Sequence, residues 1–100
     1  MIRLSKSSIS KDEIKAVNLV LEKEFLGMGE QVNIFEEKLS SYFGRNTICT
    51  VNGTASLQLA LESIGIKKGD EILLPSLNYL SAFQAISATG ATPIPVDVNE

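Results

Sequence analysis

The residues with the most chemistry to offer are Val51-Asn52-Gly53-Thr54-Ala55, set between a β-branched run, Thr47-Ile48-Cys49-Thr50-Val51, and an apolar helical pattern that begins near Ser56. A strand that turns through glycine into a helix aims free backbone N–H groups and the positive end of the helix dipole at one place. That place is an anion site, and phosphate is its commonest occupant. The plainer reading is an ordinary strand-to-helix turn with Thr54 as the helix cap. Tyr79 could stack on a planar ligand or pack as the first aromatic of a helix. Asp97 reads either as a functional carboxylate or as a turn residue at a strand end.

Other patterns are excluded. No Gly-Lys-Ser/Thr follows Gly53, so the turn is not a Walker A loop. Gly27-Met28-Gly29 is not a dinucleotide fingerprint, because Val32 stands where the last glycine belongs and no strand precedes it. Asn52-Gly53-Thr54 matches a glycosylation acceptor, but nothing in the chain points to secretion. With no histidine present, a Ser-His-Asp or Cys-His nucleophile and a histidine zinc site cannot be built within these residues. The single Cys49 cannot form an internal disulfide and reads as a small core residue.

Composition sets the frame. One hundred residues suit one small domain, and 44% apolar with 21% charged residues is the balance of a globular chain. A net charge of −3 with no basic cluster beyond Lys67-Lys68 argues against nucleic acid as a partner. No apolar run approaches the roughly 20 residues of a membrane span, and Met1 to Lys6 lacks the apolar stretch of a secretory signal. A cytoplasmic location is the expectation.

The elements that must position the candidates follow from periodicity and caps. Residues 1–9 read as an extended arm. Ser10-Lys11-Asp12-Glu13 is a capping box opening a helix over 11–24, with Ile14, Val17 and Leu21 at helical spacing. Gly27-Met28-Gly29 stops it. A second helix runs from Glu30 to a glycine cap at Gly44, with Val32, Phe35, Leu39 and Tyr42 on one face. A first strand is expected at 47–51, then a third helix buried on most sides and ended by Gly65. A strand at 71–74 stops at Pro75. Asn78 caps a fourth helix over 79–88, and a third strand, 92–96, carries prolines that suit an edge or a bulged end. Phe35, Tyr42 and Phe83 read as core, and Lys67 and Lys68 as a solvated turn.

Two helices followed by β-α-β-α-β imply a parallel α/β sheet with ligands beyond the carboxyl ends of its strands. If the three strands are neighbours, Asn52-Gly53-Thr54, the loop from Pro75 to Tyr79, and Asp97 share one rim. The chain ends at Glu100 directly after the third strand, which reads as a domain cut short.

An ordered series of segments carries a family resemblance. It runs through Phe25-Leu26-Gly27-Met28-Gly29-Glu30-Gln31-Val32, Phe35-Glu36, and Leu39-Ser40-Ser41-Tyr42-Phe43-Gly44. It continues with Asn52-Gly53-Thr54-Ala55-Ser56-Leu57, Gly69-Asp70-Glu71-Ile72-Leu73-Leu74-Pro75, and Gly90-Ala91-Thr92-Pro93-Ile94-Pro95-Val96-Asp97-Val98. From about residue 10 to 98 the chain resembles the N-terminal part of the DegT/DnrJ/EryC1/StrS family of pyridoxal-phosphate-dependent sugar aminotransferases. The resemblance implies the aspartate-aminotransferase (fold type I) large domain. Residues 1–9 would be an arm, 10–44 two leading helices and 45–100 an incomplete α/β cofactor-binding domain. It also implies a homodimer that moves an amino group, usually from glutamate, to a keto group on a nucleotide-linked sugar in amino-sugar and surface-polysaccharide synthesis.

By position, Gly53, Thr54 and Ala55 would hold the phosphate of pyridoxal 5′-phosphate through backbone N–H groups and the Thr54 hydroxyl. Tyr79 would stack on its ring. Gly27, Met28 and Gly29 match a segment near the substrate entrance. The family's turn usually reads Ser-Gly-Thr; Asn52 replaces the serine here, and no direct role is assigned to it. The family's Schiff-base lysine and the aspartate partnering the pyridine nitrogen fall beyond Glu100, so residues 1–100 alone are expected to lack transaminase activity. A dehydratase of the same family, with histidine at the lysine position, and a non-catalytic phosphate-binding module are the alternatives.

Overall fold

The backbone of residues 5–97 is described by a computed structural model. It divides into two units, Met1–Ile48 and Cys49–Glu100.

The first unit is a pair of helices defined by their ends. Helix α1, Lys11–Glu22, opens on the expected capping box. The Asp12 N–H donates to Ser10 Oγ at 3.1 Å, and the Ser10 N–H donates to Glu13 Oε2 at 2.6 Å. The helix stops two residues short of expectation because Glu24 turns left-handed, at φ 54°, a conformation that suits glycine better than a residue with a Cβ. Helix α2, Glu30–Phe43, ends on Gly44 at φ 62°, with the Arg45 N–H donating to the Ser40 carbonyl. Lys23 and Glu30 pair at 2.9 Å across the connection, both well exposed, a geometry that adds little stability. Phe35 and Tyr42 are exposed rather than core, and Tyr42 meets Phe43 edge to face at 5.0 Å. Their spacing marks an apolar face on which Val32 and Leu39 are partly buried while Phe35 and Tyr42 are not covered among the described residues.

The second unit holds every buried residue described. Helix α3, Gly53–Ser63, precedes strand β1, Glu71–Pro75; helix α4, Leu80–Ala88, then crosses to strand β2, Thr92–Val96. The strands pair in parallel with Glu71 opposite Thr92 and Pro75 opposite Val96. Thr92 donates to the Asp70 carbonyl and Ser76 to the Val96 carbonyl, so Thr92, Ile94 and Val96 face β1 while Pro93 and Pro95 take the outward positions. Leu74, Ile86 and Ala91 form the core, with Leu61, Ile66, Ile72, Ala82 and Phe83 against it. Gly90, at φ 84°, closes the approach to β2, where a Cβ would lie 3.4 Å from the Lys68 backbone.

Three expectations are corrected here. Residues 47–51 form no strand. Local side chains occupy the segment instead of a ladder: the Thr47 N–H donates to Ser40 Oγ at 2.9 Å, and the Thr50 hydroxyl donates to the Asn52 carbonyl at 2.9 Å. Among the described residues the sheet therefore has two strands rather than three. Helix α3 is not buried on most sides; Leu57 and Leu59 remain about half exposed, because its described partner is α4 on one face. Cys49 is only partly buried.

Candidate functional site

The start of α3 is built by three short-range polar side chains. Asn52, not Thr54, is the N-cap: its Oδ1 accepts from the Ala55 N–H at 2.9 Å. The helix accordingly begins at Gly53, three residues earlier than the apolar pattern indicated. The Asn52 carbonyl accepts from the Ser56 N–H at 3.1 Å and lies 2.9 Å from Thr50 Oγ1 and 3.2 Å from Ser56 Oγ. The two hydroxyl oxygens are 2.5 Å apart.

This arrangement leaves the Gly53 and Thr54 amides in the first helical turn, where no helical carbonyl can accept from them. Thr54 is half-buried. A Cβ added at Gly53 would meet nothing within 4 Å, and the residue does not have a positive φ. Among the described residues, neither backbone conformation nor packing calls for glycine there. A glycine there leaves room for another group to approach the backbone closely. A phosphate fits that opening: it needs converging donors, the positive end of a helix and unobstructed access, and the turn supplies all three.

The second candidate region follows β1. Ser76 is tied to the Val96 carbonyl at 2.8 Å, which brings the loop 76–79 and Asp97 to one rim, as the strand pairing requires. The turn at Asn52 is not joined to that rim by a strand. Its connection is through α3, which packs on α4. Asn78 is not the helix cap expected; its Oδ1 accepts from the Tyr79 N–H, and Tyr79 itself holds the cap position without a side-chain bond. Tyr79 is 81% exposed, so it does not pack as a core aromatic among the described residues.

The third region belongs to the first unit. Gly27 and Gly29 line an open, mainly apolar cavity of about 320 Å³ with Val20, Phe25, Leu26 and Gln31, while Met28 is exposed and does not line it. The Phe25 ring lies so close to Gly29 that a Cβ there would sit 2.8 Å from it. The aromatic wall was missed in the sequence, although Phe25 at four residues before Gly29 was its signal. Thr50 and Ser56 were missed too; their signal is a hydroxyl two residues before and four residues after a capping asparagine. Among the described residues no His/Cys/Asp/Glu cluster could hold a metal, and no helix is long and apolar enough to cross a membrane.

The sequence model of the DegT/DnrJ/EryC1/StrS aminotransferase family matches residues 7–100. The chain belongs to this family. It is 40% identical over 86 residues to the dTDP-3-amino-3,4,6-trideoxy-alpha-D-glucose transaminase of Streptomyces venezuelae, covering 85% of this chain and 23% of that protein. The fold matches NtdA of Bacillus subtilis, solved with the cofactor PMP bound, at a TM-score of 0.80 and 31% identity, over 91% of this chain and 22% of that one. It also matches a GDP-4-keto-6-deoxymannose-3-dehydratase at a TM-score of 0.85 and 25% identity, over 97% of this chain and 27% of that one. The chain thus spans about a quarter of the length of the relatives it matches. The α/β elements of residues 53–96 are the N-terminal part of the pyridoxal-phosphate-dependent transferase fold.

Proposed function

We propose that the full-length protein carrying this family segment is a pyridoxal-phosphate-dependent aminotransferase that moves an amino group from glutamate to the keto group of a nucleotide-linked sugar, for amino-sugar or surface-polysaccharide synthesis. In this reading it is a cytoplasmic homodimer. Residues 10–44 form two leading helices, and 45–100 begin the cofactor-binding domain. The observation that carries the reading from this chain's own structure is Gly53: a glycine that its own backbone and neighbours do not require, at the donor end of a helix.

When bound, the cofactor acts as the electron sink for amino-group transfer. This chain's residues bind and orient. The Gly53 and Thr54 N–H groups and the Thr54 hydroxyl would hold the phosphate, and the exposed Tyr79 ring would cover one face of the pyridine. Asn52 already takes the Ala55 N–H, so Ala55 would contribute shape rather than a donor. Gly27, Met28 and Gly29 would border the sugar entrance. The lysine that covalently holds the cofactor is proposed to follow Glu100 in the parent chain.

The deciding experiment pairs Gly53→Ala with an activity assay on the full-length protein, using glutamate and a panel of nucleotide-linked keto-sugars. The substitution should leave the fold intact, since alanine is a better helix former, and should weaken cofactor binding by about tenfold or more through steric exclusion. Unchanged affinity would remove the turn from the cofactor site. The similarity to a dehydratase keeps a second reading open: deoxygenation of the sugar without net amination, separated from the first by the residue at the family's lysine position.

A further inference from the structure

The peptide joining Asn52 to Gly53 is held by more contacts than a helix start needs. Its carbonyl accepts the Ser56 N–H and lies within hydrogen-bond reach of two hydroxyls, Thr50 Oγ1 and Ser56 Oγ. Those hydroxyls also contact each other, so two protons serve three contacts. If the hydroxyls bond each other, only one of them can donate to the carbonyl; otherwise both can. In either case the carbonyl keeps the amide and at least one hydroxyl. A trans peptide is planar, and its N–H points opposite its C=O. Pinning the Asn52 oxygen therefore also fixes the direction of the Gly53 N–H. The Asn52 side chain meanwhile occupies the Ala55 N–H, and only an oxygen can accept there, which settles the orientation of the amide.

We infer that Thr50, Asn52 and Ser56 are positioning residues for the cofactor phosphate: they lock the Asn52–Gly53 peptide plane so that the Gly53 N–H is aimed before the anion arrives, and they reserve the Ala55 N–H for the cap. The inference rests on the reading of this turn as the phosphate anchor. A pre-aimed donor loses less freedom on binding than one that must be ordered, so the effect belongs to affinity for the phosphate and not to the ring. None of the three residues needs to touch the cofactor.

The test uses the full-length protein and compares its affinity for pyridoxal 5′-phosphate with that for pyridoxal, which lacks the phosphate. Thr50→Val removes a hydroxyl at nearly constant shape. It is expected to weaken the phosphorylated cofactor about three- to tenfold with pyridoxal unchanged, and Thr50→Ser should restore it. Asn52→Asp keeps a good cap, so the amide exchange of α3 should be preserved. It places a negative charge beside the turn and should cost the phosphorylated cofactor about tenfold or more, less at high salt. Equal losses for both ligands, or no loss in either variant, would overturn the inference. If the unsubstituted protein fails to prefer the phosphorylated cofactor, the assignment of the turn itself falls instead.

Discussion

The two units of this chain keep their structure in different ways. Met1–Ile48 has no fully buried residue among those described, and its helices are set by their ends: the Ser10–Glu13 box, the left-handed Glu24 and the Gly44 cap. Cys49–Glu100 has Leu74, Ala85, Ile86 and Ala91 buried beneath two helices and a pair of parallel strands. End effects are each worth about 1 kcal/mol, whereas a buried aliphatic side chain is worth several times that. The candidate phosphate turn stands between these regimes, with its geometry set by end effects and its helix held by packing.

That contrast can be broken by substitution in the full-length protein, read locally by hydrogen exchange. The largest effect should come from Ile86→Ala, which is expected to lower the protection of α4 and β1 by about 2–5 kcal/mol, with Ile86→Val costing about 0.5–1.5 kcal/mol. A loss below 1 kcal/mol for the alanine variant would mean that the second unit is not core-held. Next is Asn52→Ala, expected to cost about 1 kcal/mol in the first turn of α3, while Asn52→Ser stays within a few tenths. Glu24→Gly should strengthen α1 by about 0.5–1 kcal/mol, since it relieves a Cβ in the left-handed region; a loss there would show that Glu24 has an unrecognised partner.

The smallest effect is a pH dependence. Bonds from the Ser10 side chain and backbone hold the Glu13 carboxyl below the usual glutamate range. A carboxylate with a depressed folded-state pKa adds stability that is complete above its unfolded value and is lost as pH falls through the folded one. Protection of the first turn of α1 should therefore persist to a pH slightly below the normal glutamate titration and then fall, and Glu13→Gln should abolish that step.

What could be read from the sequence was what local chemistry decides. The box at Ser10, the glycines at 44 and 65 and the strands at 71–75 and 92–96 lie where residue type placed them, within a residue or two. The misses share a cause. A β-branched run such as Thr47–Val51 looks the same whether or not a neighbouring strand is present to pair with it. The periodicity of Phe35 and Tyr42 likewise marks a face without supplying its partner. At the turn, Asn52 and Thr54 are both good caps two residues apart, and only the bond to the Ala55 N–H separates them. Gly53 was legible as a turn glycine, but that it is free of any local demand emerged only from the space around it.

The outward positions of β2 fall on Pro93 and Pro95, which have no N–H. A strand laid against that side would find carbonyls but no donors at two successive positions, half of a ladder. Growth of this sheet is therefore one-directional. Any additional strand, from elsewhere in the parent protein or from another molecule, has to join beside β1, where Glu71 and Leu73 still offer outward amides.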